Sequence, residues 1–153
     1  MICLSQTTGY AIQALGCLPD EPCEPQHIRD ISRCTGVPHA YLAQIMNRLA
    51  HQGIVSAKRG YRGGITLARP AKEIPLMEVV EAIEGKEWMG PCLLGMTECS
   101  AQMACPTHDL WLQVRRQIEE TLRHTSLADV MQFEHRHHAL RPGFGPTAEA
   151  PSI

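Results

Sequence analysis

Aromatic side chains are scarce in this chain. They form 5% of 153 residues: two tryptophans, three tyrosines and two phenylalanines. Stacking on single-stranded nucleic acid needs several such rings, so that mode of binding has few platforms here. Net charge is small as well, −2 with histidine neutral, which excludes a polycation that coats nucleic acid along its whole length. No apolar run approaches the ~18 residues of a membrane-spanning helix, and no membrane partner is expected. Met1 to Leu18 has no charged leading region and no small-residue cleavage site, so it does not read as a secretory signal and a cytoplasmic protein is expected. A Ser/His/Asp set, a Walker loop and a Rossmann glycine pattern are all missing. No enzyme is expected.

What is present is unevenly distributed. Apolar residues are 44% and charged residues 20%, the balance of one ordinary globular domain. Residues 1–70 hold seven Lys/Arg against four Asp/Glu, and residues 71–153 hold seven against twelve. The leading part is therefore suited to face a polyanion and the trailing part is not. Seven cysteines cannot all pair, and in a cytoplasmic chain they point to metal ligands or redox groups rather than a disulfide framework.

The pattern along the chain is mainly helical. Ser5 to Leu18 has apolar residues at helical spacing, with Ser5 as N-cap. The three prolines of Pro19 to Pro25 enforce a loop. Gln26 to Cys34 reads as a short helix, Thr35-Gly36-Val37-Pro38 as a turn, and Ala40 to His51 as a second helix with Leu42, Ile45, Met46 and Leu49 inward. Ile54 to Lys58 and Ile65 to Ala68 read as strands of a hairpin whose turn, Arg59 to Gly64, carries three glycines. Pro75 to Ile83 is a further amphipathic helix. Pro106 is expected to open a long helix with an apolar stripe at Leu110, Trp111, Val114, Ile118 and Leu122. Ser126 to Asp129 resembles a capping box that starts a last short helical turn. From His135 the composition predicts a disordered tail, its histidines solvated.

Helix, glycine turn, helix and basic hairpin form the layout of a winged helix-turn-helix. The second helix would lay its polar face in the major groove, where base edges differ. Its outward residues are His39, Tyr41, Gln44, Asn47, Arg48 and His51. Gln44 suits an adenine edge, and Arg48 a guanine or a phosphate. The hairpin tip offers Lys58, Arg59 and Arg62, with Gly60 letting the backbone approach the sugar–phosphate chain. An arginine there suits a minor groove.

A second constellation is Cys92, Cys99, Cys105 and His108. Three thiols within fourteen residues suit a soft metal. A helix opening at Pro106 would aim its positive end at the thiolates. The spacing leaves iron–sulfur, zinc and no metal all open, because the paired C-x-x-C knuckles of structural zinc sites are absent. Cys17 reads as core packing and Cys34 as a small buried residue. Cys3 and Cys23 have no ligand-like spacing.

Taken together these segments resemble the Rrf-two family of bacterial winged helix-turn-helix regulators. The resemblance spans about residues 2–132. It rests on Leu4-Ser-Gln-Thr-Thr-Gly-Tyr-Ala11, Gly36-Val-Pro-His-Ala-Tyr-Leu-Ala-Gln44, Arg59-Gly-Tyr-Arg-Gly-Gly64, Met77-Glu-Val-Val-Glu-Ala-Ile83 and the block Cys92 to Trp111. It implies a homodimer on a near-palindromic DNA operator, joined by a long C-terminal helix. It also implies a 2Fe–2S or 4Fe–4S cluster on Cys92, Cys99 and Cys105, with His108 in the place of the fourth ligand of IscR-like members. The first cysteine gap is one residue longer than in those members. Gly9 stands where other members carry a ligand on the partner's first helix, and Ala43 where IscR-like members carry an acid.

The resulting expectation is a mainly α chain with a small β-hairpin. Residues 1–84 would be the winged helix-turn-helix, 85–105 a cysteine-rich cluster loop, 106–134 the dimerisation helix and 135–153 the tail. The alternative is a zinc-stabilised or metal-free DNA-binding module without a cluster sensor.

Overall fold

The computed structural model describes residues 4–20, 24–60, 63–96 and 105–138. Helix α1 spans Gln6–Gly16, α2 Ile28–Thr35 and α3 His39–His51. Strands β1 (Val55–Lys58) and β2 (Gly64–Leu67) come next, then a short 3-10 turn at Ala71–Glu73 and α4 (Leu76–Glu84). Helices α5 (His108–His124) and α6 (Leu127–His138) end the described chain. The architecture is helical with a single hairpin among the described residues, as the sequence pattern predicts.

Ser5 caps α1, its hydroxyl accepting from the Thr8 amide at 3.4 Å. Four helices then pack on α1, which buries Ala11, Ala14, Leu15 and Gly16. Small residues at helical spacing let the neighbouring backbones approach closely. The inward row of α3 is the one expected: Leu42, Ile45, Met46 and Leu49 are all buried. Glu84 at the end of α4 ties that helix to the start of α1, accepting from the Ser5 amide at 2.8 Å and from the Thr8 hydroxyl. Burial pushes the Glu84 carboxyl up, but the Ser5 and Thr8 hydrogen bonds outweigh it and hold the group below its ordinary range.

Helix α2 starts two residues later than its pattern suggests. Gln26 is instead used as backbone partner for β2, donating to the Ile65 carbonyl at 2.9 Å and accepting from its amide at 2.8 Å. The antiparallel register pairs Val55 with Leu67 and Lys58 with Gly64. The base of the hairpin turn admits only glycine at position 63, where a Cβ would lie 2.2 Å from the Lys58 carbonyl oxygen. At the helix-turn-helix turn, Gly36 takes φ 73°, a left-handed conformation that caps α2.

One expectation for the cysteines is overturned and one is incomplete. Cys17 does pack at the edge of the core, but it is also joined by a disulfide to Cys34. Cys34 is exposed rather than buried. The sequence pattern treats them as unrelated because they lie on different helices; the packing of α2 across the end of α1 brings them together.

The C-terminal segment follows the pattern at its break and departs from it in length. The dimerisation segment expected over 106–134 contains two helices, α5 and α6, separated at Thr125 and Ser126, where the capping box was expected to start a new helical turn. The break arises because this segment pairs with the strand-like approach to α4. The Leu76 amide donates to the Thr125 carbonyl at 2.8 Å, and the Leu127 amide to the Ile74 carbonyl at 2.7 Å. Ser126 and Asp129 form the expected capping box, with the Ser126 amide donating to Asp129 at 2.9 Å and the Asp129 amide to Ser126 at 3.2 Å. The helix it starts is longer than a short turn. Helix α6 runs twelve residues to His138, so helix extends into the stretch expected to be a tail, and its Leu127 and Met131 are fully buried against α1 and the 3-10 turn. The remainder of the expected tail lies outside the described residues.

This makes α6 part of the core, and Met131→Ala is expected to destabilise the protein by about 2–5 kcal/mol. Chemical denaturation followed by circular dichroism measures it. A midpoint unchanged from the parent would mean that α6 is an appendage.

Candidate functional site

Helix α3 presents His39, Gln44, Asn47, Arg48 and His51 at the surface. Not all are equally free. Arg48 donates to the Ile83 carbonyl at 3.4 Å, at the C-terminal end of α4, where a cation is favoured by the helix dipole. Tyr41 is half-buried: its hydroxyl shares a 2.5 Å hydrogen bond with Thr7, and its ring meets Tyr10 edge-on at 6.1 Å. Tyr41 therefore fixes α3 against α1, whereas Gln44 and His39 remain exposed. Lys58, Arg59 and Gly60 are exposed at the hairpin tip. Arg62 lies outside the described residues.

The structure adds residues that the sequence pattern passed over. His27, Ile28, Arg29, Asp30, Arg33 and His39 line an open hollow of about 440 Å³. It runs along α2 from His27 and Ile28 to Arg33 and reaches His39 at the start of α3. Arg29 and Arg33 bring two guanidinium groups to it. Arg33 pairs with Asp30 at 3.3 Å, a solvent-exposed pair that contributes little to stability. The signal was available: α2 buries only Ile31, and Arg29 and Arg33 lie one helical turn apart on its other side.

The cysteine centre is described only in part. Cys92 and Cys105 are free thiols, each half-buried, and Cys99 lies outside the described residues. Among the described residues no group of three metal-ligating side chains is assembled. The helix expected to open at Pro106 begins at His108, with Thr107 as its N-cap residue and the His108 amide donating to the Cys105 carbonyl at 3.0 Å. Cys105 thus still precedes a helix start. Its sulfur lies 3.2 Å from the Thr107 hydroxyl, and that contact draws the thiol below its ordinary range.

One interaction brings Cys92 towards His108. The Trp111 indole N–H donates to the Gly90 carbonyl at 3.1 Å, and Met89 and Trp111 are both buried. Gly90 is two residues before Cys92, and Trp111 is one helical turn after His108. The loop carrying the first cysteine is therefore clamped to the turn carrying the histidine. The donor chemistry fits a soft centre: two thiols and an imidazole, with Cys99 on the intervening segment.

Helix α5 is only partly covered. It packs on α4 and buries Trp111 alone. Val114, Ile118 and Leu122 are half-buried, while Leu110 and Leu112 are 56% and 46% exposed.

Known proteins resemble this chain over most of its length. The Rrf2 family model, described as an iron-dependent transcriptional regulator, matches residues 4–132. An HTH-type transcriptional regulator of Aquifex aeolicus is 28% identical over 135 residues, covering 87% of this chain and 94% of that protein. One of Haemophilus influenzae is 30% identical over 107 residues, covering 70% of this chain and 71% of that protein. IscR of Photorhabdus laumondii is 34% identical over 107 residues, which are 70% of this chain and 65% of IscR. Among solved structures, T. potens IscR superposes with a TM-score of 0.67 at 26% identity, covering 93% of this chain and 94% of that one. CymR, the global cysteine regulator of B. subtilis, shares the fold with a TM-score of 0.71 at 22% identity, covering 87% and 98%.

If the indole clamp holds the cysteine loop, Trp111→Phe keeps the ring packing and leaves the Gly90 carbonyl without its donor. Removing one hydrogen bond costs about 1 kcal/mol, so Cys92 in the metal-free protein is expected to react about fivefold faster with iodoacetamide. An unchanged rate would show that the clamp does not control the loop.

Proposed function

Because the chain belongs to the Rrf2 family of winged-helix transcription regulators, we propose that it acts as a homodimer on near-palindromic duplex DNA, with operator affinity set by an iron–sulfur centre held by Cys92, Cys99, Cys105 and His108. Its relatives are regulators of transcription, not enzymes. The observation that carries the DNA-binding part is that the α2 arginines share one hollow with His39 of α3, while Gln44, Lys58 and Arg59 are also exposed. Gln44 and His39 supply contacts to base edges, while Arg29, Arg33, Lys58, Arg59 and Arg62 supply contacts to phosphate or minor groove.

The dimer reading is supported by α5. A helix whose apolar side is half-covered, with Leu110 and Leu112 exposed, suits a second copy of itself. Two reading heads then stand at a fixed spacing, which matches a two-fold site in DNA.

The cluster reading is supported by free thiols at Cys92 and Cys105, by the Thr107 hydroxyl that favours thiolate at Cys105, and by the family's description as iron-dependent. When bound, an iron–sulfur centre supplies a charge that changes with its oxidation state. The chain's own part is to keep the loop near α5. Trp111 and Met89 tie residues 89–92 to α5, which in turn packs on α4, and Glu84 links α4 to the first turn of α1. Ordering of the loop at one end of that series is the route by which it biases the reading heads.

Replacing Arg29, Arg33 or Arg59 by alanine is expected to weaken binding to specific and unrelated duplexes alike. The log–log salt slope should become shallower by about one unit for each phosphate interaction removed. Fluorescence anisotropy across a salt series measures this, and an unaltered slope for all three would place that face off the DNA.

Anaerobic reconstitution with iron and sulfide tests the centre. The parent is expected to turn brown with visible absorption, each of Cys92→Ala, Cys99→Ala and Cys105→Ala to lose the chromophore, and His108→Ala to retain a more labile one. A colourless parent that binds zinc, or no metal at all, would instead establish the module without a cluster sensor.

A further inference from the structure

We propose that the Cys17–Cys34 bridge is a reversible dithiol–disulfide site that governs how firmly α2 is held in the reading head, with a dithiol reductant as its exchange partner. The bridge joins the C-cap residue of α1 to the next-to-last residue of α2. It is separate in sequence from Cys92, Cys99 and Cys105.

Helix α2 depends on this link more than its neighbours would. It has eight residues and buries only Ile31, with Ile28 half-buried. By contrast α3 buries four apolar side chains and α4 buries four. Opening the bridge therefore removes a large share of the hold on α2 and little of the hold on the rest of the domain. The effect has a path to α3. Cys34 stands two residues before Gly36, and the Ser32 hydroxyl donates across the turn to the Val37 carbonyl at 2.7 Å. Arg29 and Arg33 ride on the same helix. Any consequence for DNA rests on the proposed role of that arginine face in phosphate binding.

Position also sets the chemistry. Cys34 is exposed and Cys17 half-buried, so the Cys34 sulfur is the one open to an incoming thiolate. Attack forms a mixed disulfide between the reductant and Cys34, and Cys17 leaves as a thiolate that takes up a proton. The second thiol of the reductant then attacks its own sulfur in the mixed disulfide and releases Cys34, which is also protonated. Two electrons and two protons pass to the protein, and the reductant ends as its own disulfide. Both cysteines lie at C-terminal helix ends rather than at the helix starts that stabilise a reduced thiolate form and make a disulfide strongly oxidising. A dithiol completes the exchange within one reductant molecule, because its second thiol displaces Cys34 intramolecularly.

The test uses the full chain equilibrated anaerobically in mixtures of oxidised and reduced dithiothreitol. Alkylation with peptide mass mapping reports each cysteine, hydrogen exchange reports residues 28–35, and anisotropy reports affinity for a random duplex of about 30 base pairs, on the order of three helical turns. Cys17 and Cys34 should become alkylated together as reduced dithiothreitol rises, and α2 amides should then exchange about tenfold faster. Cys17→Ser and Cys34→Ser should show the faster exchange in every mixture. The proposal is overturned if no mixture closes the bridge, if none opens it in the folded protein, or if opening leaves α2 exchange unchanged. Opening that loosens α2 without altering duplex affinity supports the exchange site and instead removes α2 from the DNA surface.

Discussion

The burial of α1 is the constraint on which the remaining structure depends. Ala11, Ala14 and Leu15 are inaccessible to solvent, and α2, α3, α4 and α6 all pack against this one helix. Its small residues permit that crowding. The arrangement couples parts that are remote in sequence. Tyr41 on α3 bonds to Thr7, Glu84 at the end of α4 bonds to Ser5 and Thr8, and the far C-terminal helix covers the same hub. A displacement of α1 is therefore felt by α3, α4 and α6 together.

The two halves of the chain divide the work by charge. The basic excess lies before residue 71, where α2, α3 and the hairpin gather, and the acidic excess lies after it. The acidic part includes Glu78, paired with Arg69, and Glu119, paired with Arg115 at 3.0 Å. These half-buried pairs still face solvent and add modest stability. Their value is in keeping unpaired negative charge low on the half that must accompany a head towards a polyanion.

Helix α3 was legible in the sequence because its period is strong. Leu42, Ile45, Met46 and Leu49 repeat at helical spacing, and Gly36 marks the turn before them. The capping box at Ser126 and Asp129 was equally local, and both its bonds are present. The role of α6 was not legible. Among the described residues Leu127 and Met131 are its fully buried anchors, with Ala128 packed beside them, and the histidine-rich end of that segment resembles a solvated tail. The Cys17–Cys34 link escaped for a different reason: it depends on how α2 crosses the end of α1, and no spacing within either helix encodes that. Arg29 and Arg33 were passed over because α2 reads as a support for its neighbour, while their position beside His39 exists only once α2 and α3 pack together. Tyr41 has a part that the spacing did not disclose: beside its place on the polar side of α3, its ring packs edge-on against Tyr10 and its hydroxyl bonds to Thr7, bracing α3 against α1.

The closed geometry at Gly63 constrains substitution. A side chain there would collide with the Lys58 carbonyl, so the base of the hairpin turn tolerates almost no drift. Lys58 and Arg59 stand exposed just beyond it, and Gln44 and His39 are exposed on α3. Mutations at those positions remove no buried contact. Substitution at those surface positions therefore leaves the fold intact, whereas any side chain at position 63 must displace the backbone that carries the turn.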